Sequence, residues 1–265
     1  SYPELLDHLA IEFIESGWDI KSLFKAIVLS QTYQQSSNLS KALLEKDPHN
    51  QFFARQGSYR LPAEIIRDNA LLIAGLLQDD VGGDSSRPYQ PDGYYRHLNF
   101  PVRKYQTDKD SNQYRRGVYV HWQRQFLHPM LKAFDAPSRE ECTAQRPRSN
   151  TPLAALVLMN DPTFVEAARS FAELILLQDL PNDESRLEFA FRKALSRVPD
   201  ADESTILLSM LKSNLKKFES NPTAADDLLN VGLHTSDEAL NTTDVAAWTT
   251  VTRTIFNLNE SISRN

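Results

Sequence analysis

The sequence is poor in glycine and cysteine. Only 8 of the 265 residues are glycine, against a usual share of roughly 7%, which argues against glycine-rich phosphate loops, β-propellers and tightly turned β-sandwiches. No G-x-G-x-x-G, Walker or G-x-S-x-G motif occurs, so the usual nucleotide-binding and α/β-hydrolase patterns are missing. The one cysteine, Cys142, excludes an internal disulfide, a C-x-x-C zinc site and a C-x-x-C-H haem attachment within this chain.

Long apolar runs and an overall basic charge are also absent. No stretch approaches 18 consecutive apolar residues, so we expect no membrane-spanning helix. The formal net charge is −6 and the isoelectric point is near 5.6, which disfavours nucleic acid as a partner because duplex binding needs a broad basic field. Apolar residues make up 41% of the chain, enough to close a core. The amino-acid composition by itself does not indicate any particular enzymatic reaction.

Helical periodicity dominates the first eighty residues. An apolar stripe ends at Gly17, and Asp19 follows where an N-cap residue belongs, in front of a second stripe. A third helix is expected after Leu61-Pro62, because proline is favoured in the first helical turn. The apolar positions that define the first two helices are Leu5, Leu6, Leu9, Phe13, Ile14, Ile20, Leu23, Phe24, Ile27 and Val28.

The last part of the chain, residues 151–265, is predicted to be helical again. A capping side chain followed by proline at the first helical position predicts two successive helices, 152–159 and 162–178. Capping signals lie at Thr151-Pro152, Asp161-Pro162, Asp183, Asp200-x-x-Glu203 and Asn241.

Between these parts, residues 81–150 lack a helical period. We expect a short strand at Val118–Trp122 and a short helix within Phe126–Phe134. The fold class predicted is therefore mainly α: one helical domain over residues 1–265, with a long irregular central segment and at most a short β element. Its subregions are helical 1–80, irregular 81–150 and helical 151–265.

The irregular centre carries a net positive charge, whereas the rest of the chain is negative. Residues 87–148 carry nine of the 18 arginines and three lysines against six acidic residues, a net charge of +6, which leaves −12 on the rest of the chain. Ten aromatic residues lie in the same stretch. Arginine recognises carboxylate, sulfate or phosphate bidentately, and aromatic faces stack on sugar rings, so the combination suits an anionic glycan. The alternative is that these arginines neutralise acids of the surrounding helices. As ligand contacts we propose Arg115, Arg116, Trp122, Arg139, Arg146 and Arg148.

Catalytic and metal-binding patterns are weaker. Asp135 and Glu140 are the candidate carboxylates of a polysaccharide-cleaving hydrolase, which needs an acid and a second carboxylate about 5 to 10 Å apart. Alternatively, Asp135 caps a loop and Glu140 forms an ion pair. His121 and His128 lack a metal-binding motif, and Cys142 has no histidine close in sequence. We therefore predict no metal and no cofactor in this chain, and leave open whether it is an enzyme.

Several motifs resemble one known family. They are Tyr2-Pro3-Glu4-Leu5-Leu6-Asp7, Gly17-Trp18-Asp19, Ser30-Gln31-Thr32-Tyr33, Arg60-Leu61-Pro62-Ala63-Glu64, Tyr114-Arg115-Arg116-Gly117, Phe134-Asp135-Ala136-Pro137-Ser138-Arg139-Glu140, Asn150-Thr151-Pro152-Leu153, Leu158-Met159-Asn160-Asp161-Pro162, Ala247-Trp248 and Phe256-Asn257-Leu258-Asn259-Glu260. With them the chain resembles the planctomycete C-terminal domain of unknown function numbered fifteen fifty-three.

The resemblance implies a setting more than an activity. Relatives usually follow a second domain of unknown function, and often a cytochrome-c-type haem domain, in exported bacterial proteins. It therefore implies a non-haem module located in the periplasm or outside the cell, with upstream domains of the same polypeptide as partners. Three roles stay open at this point: binding of an anionic or sulfated polysaccharide, hydrolysis of a polysaccharide, and structural docking of the upstream domains.

Overall fold

The computed structural model describes residues 2–98, 102–124 and 126–264, and it separates them into two compact units. The first unit contains the described residues up to Arg60 together with Ser263 and Arg264, and the second spans Leu61–Ile262. The expectation of one domain over the whole chain stays a prediction.

The first unit consists of short helices and a small sheet. Helices α1 (Pro3–Glu15) and α2 (Ile20–Leu29) pack on each other, and α3 (Lys41–Lys46) follows. The predicted cap of α2 is present, because the carboxylate of Asp19 accepts hydrogen bonds from two backbone N–H groups of the first turn. Strand β1 (Tyr59–Arg60) pairs antiparallel with β2 (Ser263–Arg264), which joins two segments far apart in sequence.

The second unit is helical at both ends and irregular in its middle. Its helices begin where the capping residues predict: Thr151, Asp161, Asp200 and Asn241 each accept a hydrogen bond from the first turn that follows. The elements are α4 (Ala63–Ile73), two 3₁₀ turns (Ser111–Tyr114 and Gly117–Tyr119), α5 (Pro129–Ala133), α6 (Pro152–Asn160), α7 (Pro162–Leu176), α8 (Asp183–Leu195), α9 (Ala201–Ser220), α10 (Pro222–Leu229), α11 (Thr242–Phe256) and α12 (Asn259–Ile262).

Helix α7 forms the centre of the core. Every residue from Thr163 to Glu173 is buried, as expected for a helix surrounded on all sides. Helix α11 packs against α7 and α9, and the rings of Phe171 and Phe256 stack with centroids 5.8 Å apart. Truncating either ring to alanine would cost about 3 to 5 kcal/mol.

Helix α4 anchors the irregular centre. The guanidinium of the fully buried Arg67 donates to the carbonyl oxygens of Arg115 and Gln113, at 2.5 and 2.6 Å. The carboxylate of Asp68 accepts from the backbone N–H of Gly117 at 2.6 Å. Because α4 makes these bonds and also packs on α7, it belongs with the second unit, although its sequence position lies in the predicted 1–80 subregion.

The mainly α fold class is confirmed. The described residues form twelve α-helices and one two-stranded sheet. The short strand expected at Val118–Trp122 is absent from the described elements, because a 3₁₀ turn occupies Gly117–Tyr119 and only an isolated bridge joins Val120 to Ser86. None of the described helices combines the length and apolar character needed to cross a bilayer.

Candidate functional site

The segment around Arg87 is fixed between two others. On one side, the backbone N–H of Ser86 donates to the carbonyl of Tyr119 at 2.8 Å, and the N–H of His121 donates to the carbonyl of Ser86 at 2.7 Å. On the other side, the N–H of Arg87 donates to the carboxylate of Asp108 at 2.7 Å, and the N–H of Asp108 returns a bond to the carbonyl of Arg87 at 3.0 Å. These bonds hold Arg87 and His121 on adjacent extended segments, which do not form a regular β-sheet.

Two tyrosine rings lie beside this segment. The hydroxyl of Tyr105 donates to the carbonyl of Pro88 at 2.6 Å, and burial raises the pKa of that phenol above its usual range. Its ring meets the ring of Tyr95 edge to face, with centroids 5.5 Å apart, and Tyr95 in turn contacts Phe126 at 5.7 Å. Edge-to-face contacts of this kind favour fixed ring positions.

Arg87, the tyrosine rings and His121 border an open hollow of about 320 Å³, which we call the basic cleft. None of the described residues that line it carries a carboxylate. Three of them carry a permanent positive charge. The lining residues are Arg87, Tyr95, Arg103, Lys104, Tyr105, Gln106, His121 and Gln123.

The cations of the basic cleft have no acidic side-chain partner among the residues that the structure describes. Within the described ranges, Arg87, Arg103 and Lys104 form no ion pair with a carboxylate; Arg103 donates instead to the amide oxygen of Gln123 at 3.0 Å. The pKa of His121 is lowered by partial burial first and then by the charges of Arg87 and Arg103. The cleft therefore concentrates positive charge, and a bound anion would reduce the repulsion between its cations.

Comparison with protein families agrees with the sequence motifs. The family model described as "PSD1: Protein of unknown function (DUF1553)" matches residues 1–211, well over half of the chain. The chain belongs to this family. No curated protein and no solved structure matches it.

Of the family motifs named above, those between Tyr2 and Pro162 lie inside the region matched by the PSD1 model, and so does the whole basic cleft. The two C-terminal motifs, beginning at Ala247 and Phe256, lie beyond it. Membership in PSD1 carries no activity with it, because the family is described as one of unknown function.

In this PSD1 chain, the arginines proposed from the sequence as ligand contacts lie outside the basic cleft. Arg115 is buried and donates to the carbonyls of Asp84, Asp80 and Gly82, while its guanidinium stacks 4.1 Å from the centre of the Tyr119 ring. It therefore closes the loop at residues 80–84.

The other five proposed contacts lie at the surface or close to it. Arg146 forms an ion pair with Glu64 of α4 at 2.7 Å. Arg139 stacks 3.7 Å from the centre of the Trp122 ring, and the indole N–H of Trp122 donates to a backbone carbonyl. Arg116 and Arg148 are exposed. Whether any of the six binds a ligand stays a prediction.

The candidate catalytic carboxylates have different surroundings. Asp135 is half-buried and accepts hydrogen bonds from the backbone N–H and the hydroxyl of Ser149, at 2.7 to 2.9 Å, which is the loop-capping role considered from the sequence. Glu140 is exposed. Neither residue lines the basic cleft.

The two histidines and the cysteine considered from the sequence also lie in different surroundings. His128 is buried, its Nε2 lies 2.9 Å from the carbonyl of Tyr89, and burial lowers its pKa to about 4. His121 lies at the basic cleft instead, and Cys142 is exposed. Among the described residues no group of three histidine, cysteine or acidic side chains is placed to hold a metal ion.

Sequence reasoning missed a buried polar cluster on α7. The carboxylate of Glu166, 1% exposed, accepts from the hydroxyls of Tyr89 and Tyr114, at 2.9 and 2.8 Å. It also accepts from the backbone N–H groups of Leu233 and His234, both at 2.6 Å. The cluster fixes Tyr89, which lies two residues beyond Arg87 in the chain.

Two further charges complete this cluster. Arg169 lies 4.0 Å from Glu166 and 3.9 Å from Glu173, and Glu173 lies 3.0 Å from the imidazole of His234. Glu166, Arg169 and Glu173 recur at spacings of three and four along a helix that has no other charged residue. That spacing is the signal by which the sequence could have identified them.

Proposed function

We propose that this domain binds an anionic glycan and that the basic cleft holds the anionic group. One observation carries the proposal: the described lining residues include Arg87, Arg103 and Lys104 but no carboxylate. Guanidinium groups bind sulfate and carboxylate through paired charge-assisted hydrogen bonds. A hollow of about 320 Å³ falls within the range of small-ligand sites.

The rings of the cleft favour a sugar over a bare inorganic ion. Tyr95 and Tyr105 are held edge to face beside the cations, so a sugar ring that enters meets fixed aromatic surface. A long, uniformly charged polymer such as duplex nucleic acid fits poorly. The chain outside residues 87–148 has a net charge of −12 and would repel it.

The proposal extends to the setting that the family resemblance implies. There the domain is a non-haem module of an exported bacterial protein, and it holds a polysaccharide near the domains that precede it in the polypeptide. Hydrolysis of the polysaccharide is less well supported, because Asp135 accepts hydrogen bonds from Ser149 and the part of the basic cleft that the structure describes offers no acid.

The test is a calorimetric titration with sulfated oligosaccharides and their unsulfated counterparts, carried out at low and at high salt. We expect binding of the sulfated compounds only, weakening as salt rises. Arg103→Gln should weaken binding about 10- to 100-fold, the equivalent of roughly 1.5 to 3 kcal/mol for a hydrogen bond to a charged group.

The matched control is Arg139→Gln, which removes the same charge from an exposed position outside the basic cleft. We expect it to leave the affinity unchanged. If Arg139→Gln abolishes binding and Arg103→Gln does not, the contacts proposed from the sequence are the correct ones and the basic cleft is not the site. Turnover that Glu140→Gln abolishes would favour the hydrolase instead.

A second candidate function, docking of the upstream domains, is favoured by one observation in the first unit. Helices α1 and α2 contain no buried residue, and Leu6, Trp18 and Phe24 are each more than 60% exposed. Exposed apolar surface of this kind marks interaction sites. The test is calorimetric binding of the domain that precedes this chain in the polypeptide. Phe24→Glu should abolish binding, whereas Phe52→Glu, at an equally exposed phenylalanine outside α1 and α2, should not.

A further inference from the structure

A second hollow adjoins the basic cleft. It has a volume of about 380 Å³ and shares four lining residues with the basic cleft, namely Tyr95, Arg103, Lys104 and Tyr105. We call it the tyrosine cleft, because Tyr94 also lines it. The two hollows therefore lie next to each other along the same short stretch of chain, on a shared wall of two rings and two cations.

The tyrosine cleft differs from the basic cleft in its polar groups. It contains the carboxylate of Asp92, the amide of Gln90, the hydroxyl of Thr107 and the guanidinium of Arg96, none of which lines the basic cleft. The carboxylate of Asp92 is an acceptor that suits the hydroxyl groups of a sugar, and it offsets one of the three cations that line this hollow, whereas no carboxylate is among the described lining residues of the basic cleft.

The ring of Tyr94 is fixed like that of Tyr95. Its hydroxyl donates to the carbonyl of Leu127 at 2.9 Å, and its ring meets Phe126 at a right angle with centroids 6.1 Å apart. The ring of Tyr95 lies 6.1 Å from that of Tyr94. A bound chain would therefore find aromatic surface in both hollows without ordering new side chains, which lowers the entropic cost of binding.

We infer that the two clefts bind consecutive units of one chain: an anionic sugar in the basic cleft and a hydroxyl-bearing neighbour in the tyrosine cleft. The inference rests on the proposed function and adds to it the class of ligand, an oligosaccharide of at least two units in which charge is not carried at every position. The linkage between the units passes the shared wall formed by Arg103 and Tyr105.

The experiment compares affinities along a length series. The probes are a monosulfated monosaccharide and the di-, tri- and tetrasaccharides of the same sulfated polysaccharide, each titrated by calorimetry. We expect the affinity to rise at least tenfold from the monosaccharide to the longer compounds. Asp92→Ala should remove that gain and leave the monosaccharide affinity unchanged, because Asp92 lines only the tyrosine cleft.

The matched control is Asp79→Ala, which deletes an exposed acid outside both clefts and should keep the gain with length. Equal affinities for all lengths would overturn the inference and leave the proposed function standing. Retention of the gain in Asp92→Ala would overturn it as well. If no anionic saccharide of any length binds, the proposed function fails and the inference fails with it.

Discussion

The substitution Glu166→Gln tests the buried cluster on α7, because it keeps the size of the side chain and removes its charge. Four donors converge on this carboxylate. A hydrogen bond to a charged group contributes about 1.5 to 3 kcal/mol and a neutral one about 0.5 to 1.5, so we expect a loss of roughly 1 kcal/mol for each of the four bonds.

The loss extends to Arg169, which is 2% exposed and, among the described residues, would keep Glu173 as its one remaining ion-pair partner. Breaking a buried ion pair costs about 3 to 5 kcal/mol, and the two contributions overlap. We therefore expect Glu166→Gln to lower the free energy of unfolding by about 4 to 6 kcal/mol in total. Stabilities of single domains are about 5 to 15 kcal/mol, so the variant would be close to unfolding.

The assay is urea denaturation followed by circular dichroism. The free energies of unfolding of wild type and variant are compared with the same dependence on urea concentration (the m-value) for both. Glu188→Gln is the control, since Glu188 pairs with Arg192 on the surface of α8 at 2.8 Å and such pairs contribute about 0 to 1 kcal/mol. A loss below about 1 kcal/mol for Glu166→Gln would refute the reasoning, because the charge would then not hold the cluster together.

Four further substitutions have defined outcomes. Gly232→Ala should destabilise the protein by several kcal/mol, because a Cβ there would lie 2.3 Å from the Glu166 carboxyl carbon and φ is +94°; thermal unfolding measures it. On acidification from pH 6.5 to 4, His128 should lower the free energy of unfolding of the wild type by about 1.4 kcal/mol per pH unit, and His128→Gln should abolish this loss. From pH 6 to 4, Asp161 should raise the free energy of unfolding by a similar amount per pH unit, and Asp161→Asn should abolish this gain. Denaturant midpoints across that pH range check both. Arg115→Gln should cost about 2 to 4 kcal/mol by releasing the loop carbonyls that its guanidinium binds, measured by urea denaturation.

The signs of the pH effects follow from the two folded-state pKa values. His128 has a lowered pKa of about 4, so the unfolded chain binds its proton first and stability falls as pH decreases below 6.5. Burial raises the pKa of Asp161 to about 6, so the folded chain binds that proton first and stability rises as pH decreases below 6. Equal slopes in the wild type and in either variant would contradict this assignment.

Each of the other two substitutions has a matched control. Gly57→Ala should be nearly neutral, because no atom lies within 4 Å of the added Cβ and its backbone is not left-handed. Arg116→Gln removes a charge next to Arg115 at an exposed position and should change stability by less than about 0.5 kcal/mol. If Arg115→Gln were equally mild, its bonds to the loop at residues 80–84 would contribute little.

Local signals in the sequence predicted the helix starts. Asp19, Thr151, Asp161 and Asn241 each cap the helix that follows, because a cap depends only on a side chain and the N–H groups two or three residues ahead. The pairing of Tyr59–Arg60 with the C-terminal strand had no such signal. It joins segments about 200 residues apart, and two residues are too few for an alternating pattern.

The charge inversion of residues 87–148 was likewise readable from the sequence, since it follows from counting arginines and acids. Which arginine faces open space was not. Arg115 and Arg87 look equivalent in sequence. Arg115 nevertheless binds loop carbonyls that lie 31 to 35 residues away, whereas Arg87 borders a hollow whose described lining contains no acid. A guanidinium binds whichever acceptors the folded chain brings near it.

The amino-acid sequence alone determined the helical class, the positions of the caps and the concentration of positive charge in the middle of the chain, because periodicity, capping and charge are properties of neighbouring residues. Only the tertiary structure decided that Glu166 gathers four donors inside the core and that Arg87, Arg103 and Lys104 share one cleft with two tyrosines. Both arrangements depend on long-range packing, which brings together groups that no local pattern connects.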